Sequence, residues 1–210
     1  MKNILTMSWF LILVLLTSGY STSTQFDIGI NDQSGLTLES KPLYALRSKK
    51  KLNASMMSVD IQILKVNSLI SDPIRGTTNP LRVPGAVIEY IIQPRNEGST
   101  SPDNNTVVIN DVIPQNTQMC VSSLCWPGGD FVRFTDGSPS SNLSFNFFTD
   151  VTFSNVVGGG APYSYTPSPD SAGYDSSVTG FRVQPSGVFN NSNGSSPHPN
   201  FNIFMRVRID

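Results

Sequence analysis

The last ten residues constrain the fold more than any other stretch. In Phe201–Asp210, the residues Phe201, Ile203, Met205, Val207 and Ile209 fall on one side of an extended backbone. Asn202, Phe204, Arg206, Arg208 and Asp210 fall on the other. A period of two is the pattern of a half-buried β-strand, whereas a helix repeats its apolar face about every 3.6 positions. The alternation recurs upstream, where Val59, Ile61, Ile63 and Lys65 interleave with Asp60, Gln62, Leu64 and Val66. Further strands are expected at Val87–Ile92, Thr106–Ile113, Phe131–Phe134, Leu143–Phe147, Val151–Phe153 and Val178–Val183. Pro94 and Pro185 read as strand stops, and Asp136–Gly137 as a turn. Pro, Gly, Ser and Asn cluster at 95–105, 158–168 and 190–200, which read as long loops. Short strands separated by turn signals predict an all-β antiparallel sandwich with Gly/Pro/Asn/Ser-rich loops. The final strand is expected inside a sheet with partners in its own domain. Arg206 and Arg208 on its polar face disfavour edge-to-edge pairing.

Charge narrows the function classes. Lys and Arg number 14 and Asp and Glu 15. Charged residues make up 14% of the chain, against roughly 25% in an ordinary soluble domain. A nucleic-acid binder needs a basic excess, and this sequence has none. The polar faces are built from Ser, Thr and Asn instead.

Residues 1–23 have the three parts of a secretory signal. Lys2 is the basic start, Trp9–Leu16 the apolar run, and Thr17–Ser23 the small-residue cleavage region. The apolar run is far shorter than the ~20 residues of a membrane span, and no later stretch reaches that length. Export to the cell surface, the periplasm or the medium is therefore expected. Residues 24–53 read as an extension or linker. It holds a short strand candidate, Leu36–Glu39, and a basic cluster, Arg47–Lys51. Residues 54–210 read as one domain. Cys120 and Cys125, with four residues between them, are expected to form a disulfide in an oxidising compartment.

The stretch Pro84–Gly98 (PGAVIEYIIQPRNEG), followed by Val107–Thr117 (VVINDVIPQNT), resembles the prokaryotic extracellular conserved-repeat module known as the DUF11 or CARDB-like group. The strong part of the resemblance runs from Val59 to Val121. It implies an immunoglobulin-like β-sandwich outside the cell and carries no catalytic residues with it. In that reading Pro84–Gly85 turns the chain into a strand, and Ile88, Tyr90 and Ile92 share a face. Asn96 and Gly98 suit a turn with positive φ, Asp111 bonds neighbouring backbone, and Pro114 ends a ladder. Arg95 stands where Thr is commoner, and a single copy is present.

Candidate chemistry is sparse. His198, the single histidine, lies between prolines in a polar loop, which leaves a Ser/His/Asp triad without a well-placed base. Asp170 and Asp175 are the best local pair of carboxylates. They are read either as an Asx-turn loop or, with Ser171, as oxygen donors for calcium, although the spacing matches no EF-hand. No other cofactor is implied. Trp126, Tyr163, Tyr165 and Tyr174 are candidates for stacking on sugar rings. The sequence thus points to a secreted, non-enzymatic β-sandwich with a structural, adhesive or assembly role, whose partners are other surface proteins or itself. The alternative is a carbohydrate-binding module that uses those aromatics on a polysaccharide.

Overall fold

The computed structural model describes residues 58–210. The leader, the 24–53 extension, Leu36–Glu39 and the Arg47–Lys51 cluster lie outside the described residues. The regular secondary structure of the described residues is almost entirely antiparallel strand. In chain order these are β1 (Ile61–Ser71), β2 (Val87–Asn96), β3 (Ile109–Val112), β4 (Thr117–Cys120), β5 (Val132–Asp136) and β6 (Leu143–Ser144). A single helical turn, α1 (Phe147–Asp150), precedes β7 (Val151–Ser154), β8 (Tyr174–Asp175), β9 (Gly180–Val183), β10 (Ser186–Gly187) and β11 (Phe201–Ile209).

The larger sheet runs β1-β2-β11-β4-β8, with β5 also on β11. The smaller is β3-β9-β7, and β6 and β10 pair separately. One core joins the two main sheets. Ile88, Ile92, Met119, Val132, Phe201, Ile203, Met205 and Val207 of the large sheet pack with Ile109, Val151, Phe153, Phe181 and Val183 of the small one. This is a sandwich-like all-β fold. No helix among the described residues is long and apolar enough to cross a membrane.

The most strongly patterned strand is the centre of the large sheet. Phe201, Ile203, Met205 and Val207 are all fully buried. One edge of β11 pairs with β2. The other is shared by β5, opposite Phe201–Met205, and β4, opposite Val207–Ile209. Strands β4 and β5 thus lie along one line, interrupted by an excursion over Val121–Phe131.

Strand boundaries differ from the sequence expectations for local reasons. Strand β2 continues through Pro94 to Asn96. Asn96 N–H donates to Pro199 O at 3.0 Å, so Pro94, two residues earlier, faces its nitrogen the same way. The β2–β11 ladder is interrupted at Pro94, between the Ile92–Ile203 pair and the isolated Arg95–Asn200 bridge of the same register, so the missing donor costs one rung and does not end the strand. The expected strand Leu143–Phe147 stops at Ser144. Asn146 caps α1, its side chain accepting from Phe148 N–H, while Asp150 accepts from Asn146 N–H at 2.8 Å.

The family-like motif reads differently in three dimensions. Gly85 does take positive φ, +86°, and its N–H donates to Ile209 O. Asn96 and Gly98 do not have positive φ. Asn96 is fully buried and ties three segments together. Its amide donates to Thr100 O and Asn190 O, both at 3.1 Å, and accepts from Gly98 N–H at 3.0 Å. Gly98 is required by close approach, because a Cβ there would run into the backbone of Ser58 and Asp60. Asp111, expected to bond adjacent backbone, has the Val112 N–H beside it and also reaches across the sandwich to Lys65 of β1.

Candidate functional site

Of the side chains singled out by the sequence, Cys120, Cys125, Trp126, Asp170 and Tyr174 gather on the outer face of the large sheet. Cross-strand register places Arg206 opposite Glu89 and Phe204 opposite both Ile91 and Arg133. Arg208 stands opposite Gln118. Above this face folds the Val121–Phe131 excursion. Its base is closed by the Cys120–Cys125 disulfide, with an S–S distance of 2.07 Å. So short a closed loop puts the stabilisation near ~2 kcal/mol, the low end for disulfides. The bridge sets Trp126 down on the sheet, in an apolar cluster with Cys120 and Tyr174.

Trp126 is held by two cations. The guanidinium carbons of Arg133 and Arg206 lie 3.9 and 4.2 Å from its ring centroid. Arg133 also donates to the backbone oxygens of Trp126, Pro127 and Asp130. Burial, reinforced by the nearby Arg206, pushes the Arg133 pKa down. Arg206 Nε donates to Glu89 Oε2 at 2.9 Å. One strand step away, Arg208 lies 4.3 Å over the Tyr174 ring and donates to Asp170 at 2.7 Å.

These contacts correct the expectation of exposed stacking aromatics. Trp126 and Tyr174 are only 5% and 6% exposed, because the disulfide loop and the arginines cover them. Tyr165 is half-buried, with its hydroxyl on Asp175 Oδ2 at 2.9 Å. Tyr163 lies elsewhere, beside Arg182 and Thr152 of the small sheet. The four rings form no flat exposed row.

Asp170 and Asp175 hold loops. Asp170 Oδ1 accepts from Ala172 and Tyr174 N–H, and Oδ2 from Arg208. The Tyr174 N–H, then the Arg208 side chain, hold its carboxyl down to about 2. Asp175 accepts from Ser168 and Ser177 N–H as well as Tyr165. Each carboxylate is ringed by donors in the manner of an Asx turn. Among the described residues, no three His, Cys, Asp or Glu side chains come together as a metal site. His198 Nδ1 lies 2.7 Å from Ser192 Oγ. Ser192 is buried and also accepts from Gly194 N–H, so the pair pins its loop.

Sequence reasoning found the cysteines but missed Glu89, Arg133 and the cationic role of Arg206 and Arg208. The signal was present: all four occupy outward positions of alternating strands. What was hidden is that a loop would fold back onto them. Toward the start of β11 the same outer face carries a polar groove of about 400 Å³. No family model, no curated protein and no solved structure matches the chain.

Proposed function

We propose that this chain is an exported, non-enzymatic module of immunoglobulin-like type, with a structural, adhesive or assembly role outside the cell. The observation that carries the reading is the destination of the ionisable side chains. Asp111 pairs with Lys65, Glu89 with Arg206 and Asp170 with Arg208. Asp72 and Asp136 accept from the backbone of their own turns. Charge is used to hold strands and loops in register, as suits a scaffold. The leader pattern, the disulfide and the likeness to extracellular conserved-repeat modules support the same reading.

Expression of the full chain in a bacterium, followed by fractionation and N-terminal sequencing, tests it. The expected product lies outside the cytoplasm, begins close to residue 24 and carries no free thiol. Retention in the cytoplasm with residues 1–23 attached overturns the reading.

A further inference from the structure

We propose that the groove on the outer face of the large sheet, between β1, β2, β11 and the 192–200 loop, is a binding site for a neutral oligosaccharide. This goes beyond the surface-module reading and requires only the β-sandwich itself. The groove encloses about 400 Å³, within the ~300–1,000 Å³ typical of small-ligand sites.

Its floor is a pair of amides. Gln93 of β2 and Asn202 of β11 lie side by side, and Gln93 Nε2 donates to Asn202 Oδ1 at 3.2 Å. That bond fixes both side chains and leaves one carbonyl oxygen and one amino group for a ligand. At the rim Arg95 is paired with Glu97 through Nε, so the two charges cancel while further guanidinium N–H groups remain as donors. The wall holds the Ser196 hydroxyl and the His198 ring, whose Nδ1 is tied to Ser192. Leu64, half exposed, and Pro197 supply apolar surface.

Donors and acceptors alternate here, with two apolar contacts and no net charge. A hydroxyl both gives and accepts a hydrogen bond, and a sugar ring has apolar C–H faces, so a saccharide complements the lining. The one guanidinium and the one carboxylate at the rim are paired with each other, so neither an anion nor a cation finds an unmatched partner there. The wall is set in advance. Asn200 Nδ2 donates to His198 O at 2.8 Å, and Asn200 N–H to Pro139 O at 3.2 Å. A preformed wall spares a ligand the entropy of ordering a loop.

The test is NMR titration of the isotope-labelled full chain with neutral hexasaccharides of β-1,4-glucose, β-1,3-glucose, α-1,4-glucose and N-acetylglucosamine, with inorganic phosphate as the anionic probe. At least one sugar is expected to shift the Gln93 and Asn202 side-chain amide signals saturably, and phosphate to shift neither. Replacing both residues (Gln93→Ala, Asn202→Ala) is expected to weaken binding about tenfold or more, the scale of two lost hydrogen bonds. Leu64→Arg, at an exposed position, obstructs the groove by another route and is expected to abolish the shifts. Four results overturn the proposal: silence toward every sugar, shifts confined to another face, tighter binding of phosphate, or undiminished binding by folded groove variants.

Discussion

Lys65 Nζ lies 2.8 and 2.6 Å from the two carboxylate oxygens of Asp111, so one ion pair ties β1 of the large sheet to β3 of the small one. Asp111 is only 3% exposed, and its burial raises the carboxyl pKa despite the attraction of Lys65. The pair therefore fixes how the sheets meet more than it adds stability. Lys65→Met leaves a buried charge without a partner, and a loss of about 3 kcal/mol is expected at neutral pH. A raised folded-state pKa means that stability is lost as pH rises through it and regained below the unfolded value. The Lys65→Met penalty should thus shrink in acid, and Lys65→Met with Asp111→Leu should restore most of the loss. Denaturant titrations at neutral and acidic pH read both effects. A penalty that grows in acid would contradict this account.

Asn96 makes three hydrogen bonds from a fully buried position. Asn96→Ala is expected to cost about 3 kcal/mol, near 1 kcal/mol for each bond. Gly98→Ala forces a methyl into the Ser58–Asp60 backbone and should be comparably damaging. Calorimetric melting of the two variants checks this. A Gly98→Ala protein as stable as the parent would show that the close approach is not required.

Arg206 serves Trp126 and Glu89 together. Arg206→Ala should destabilise by about 2 kcal/mol, the size of a desolvated cation–π contact, and more than Arg133→Ala, which leaves no carboxylate unpaired. In a product that begins close to residue 24, Trp126 is the single tryptophan. Its quenching by acrylamide should rise in both arginine variants. Unchanged quenching would mean that the disulfide alone holds the ring down.

Asp170 is held down to about 2, against an ordinary 3.8, first by Tyr174 N–H and then by Arg208. A depressed pKa contributes stability above the ordinary value, which is lost as pH falls through about 2. Carboxyl NMR should find that midpoint, and Arg208→Gln should move it upward but short of 3.8, since the backbone donor stays. A parent midpoint at the ordinary value would remove the reason for the loop's order.

Much of the fold could be read from one strand at a time. Phe201–Asp210 announced its buried face, and that face is the core of the large sheet. The cysteine pair was legible from spacing and compartment. Partners across long sequence distance were not. Nothing local tells that Lys65 meets Asp111, or that Trp126 returns to lie against Arg206. Pro94 misled because a proline that costs one rung need not end a strand, and the partner that resumes the ladder lies more than a hundred positions on. The weakest strands, β6, β8 and β10, have two residues each and exist only through their neighbours. The groove escaped notice because Gln93 and Asn202 are ordinary outward residues until β2 and β11 stand side by side.

The place of β11 also sets the order in which the molecule can be completed. Glu89 and Arg206, facing each other at the middle of the large sheet, are 117 positions apart. A chain delivered from its N-terminus offers β1, β2, β4 and β5 long before the strand that joins them arrives. Until then the hairpin of β1 and β2 has an open inner edge, and Val132 and Met119 lack their cross-strand partners Met205 and Val207. So non-local a topology makes folding slow and late. The large sheet therefore closes only when β11 takes its place between β2 and the line of β4 and β5.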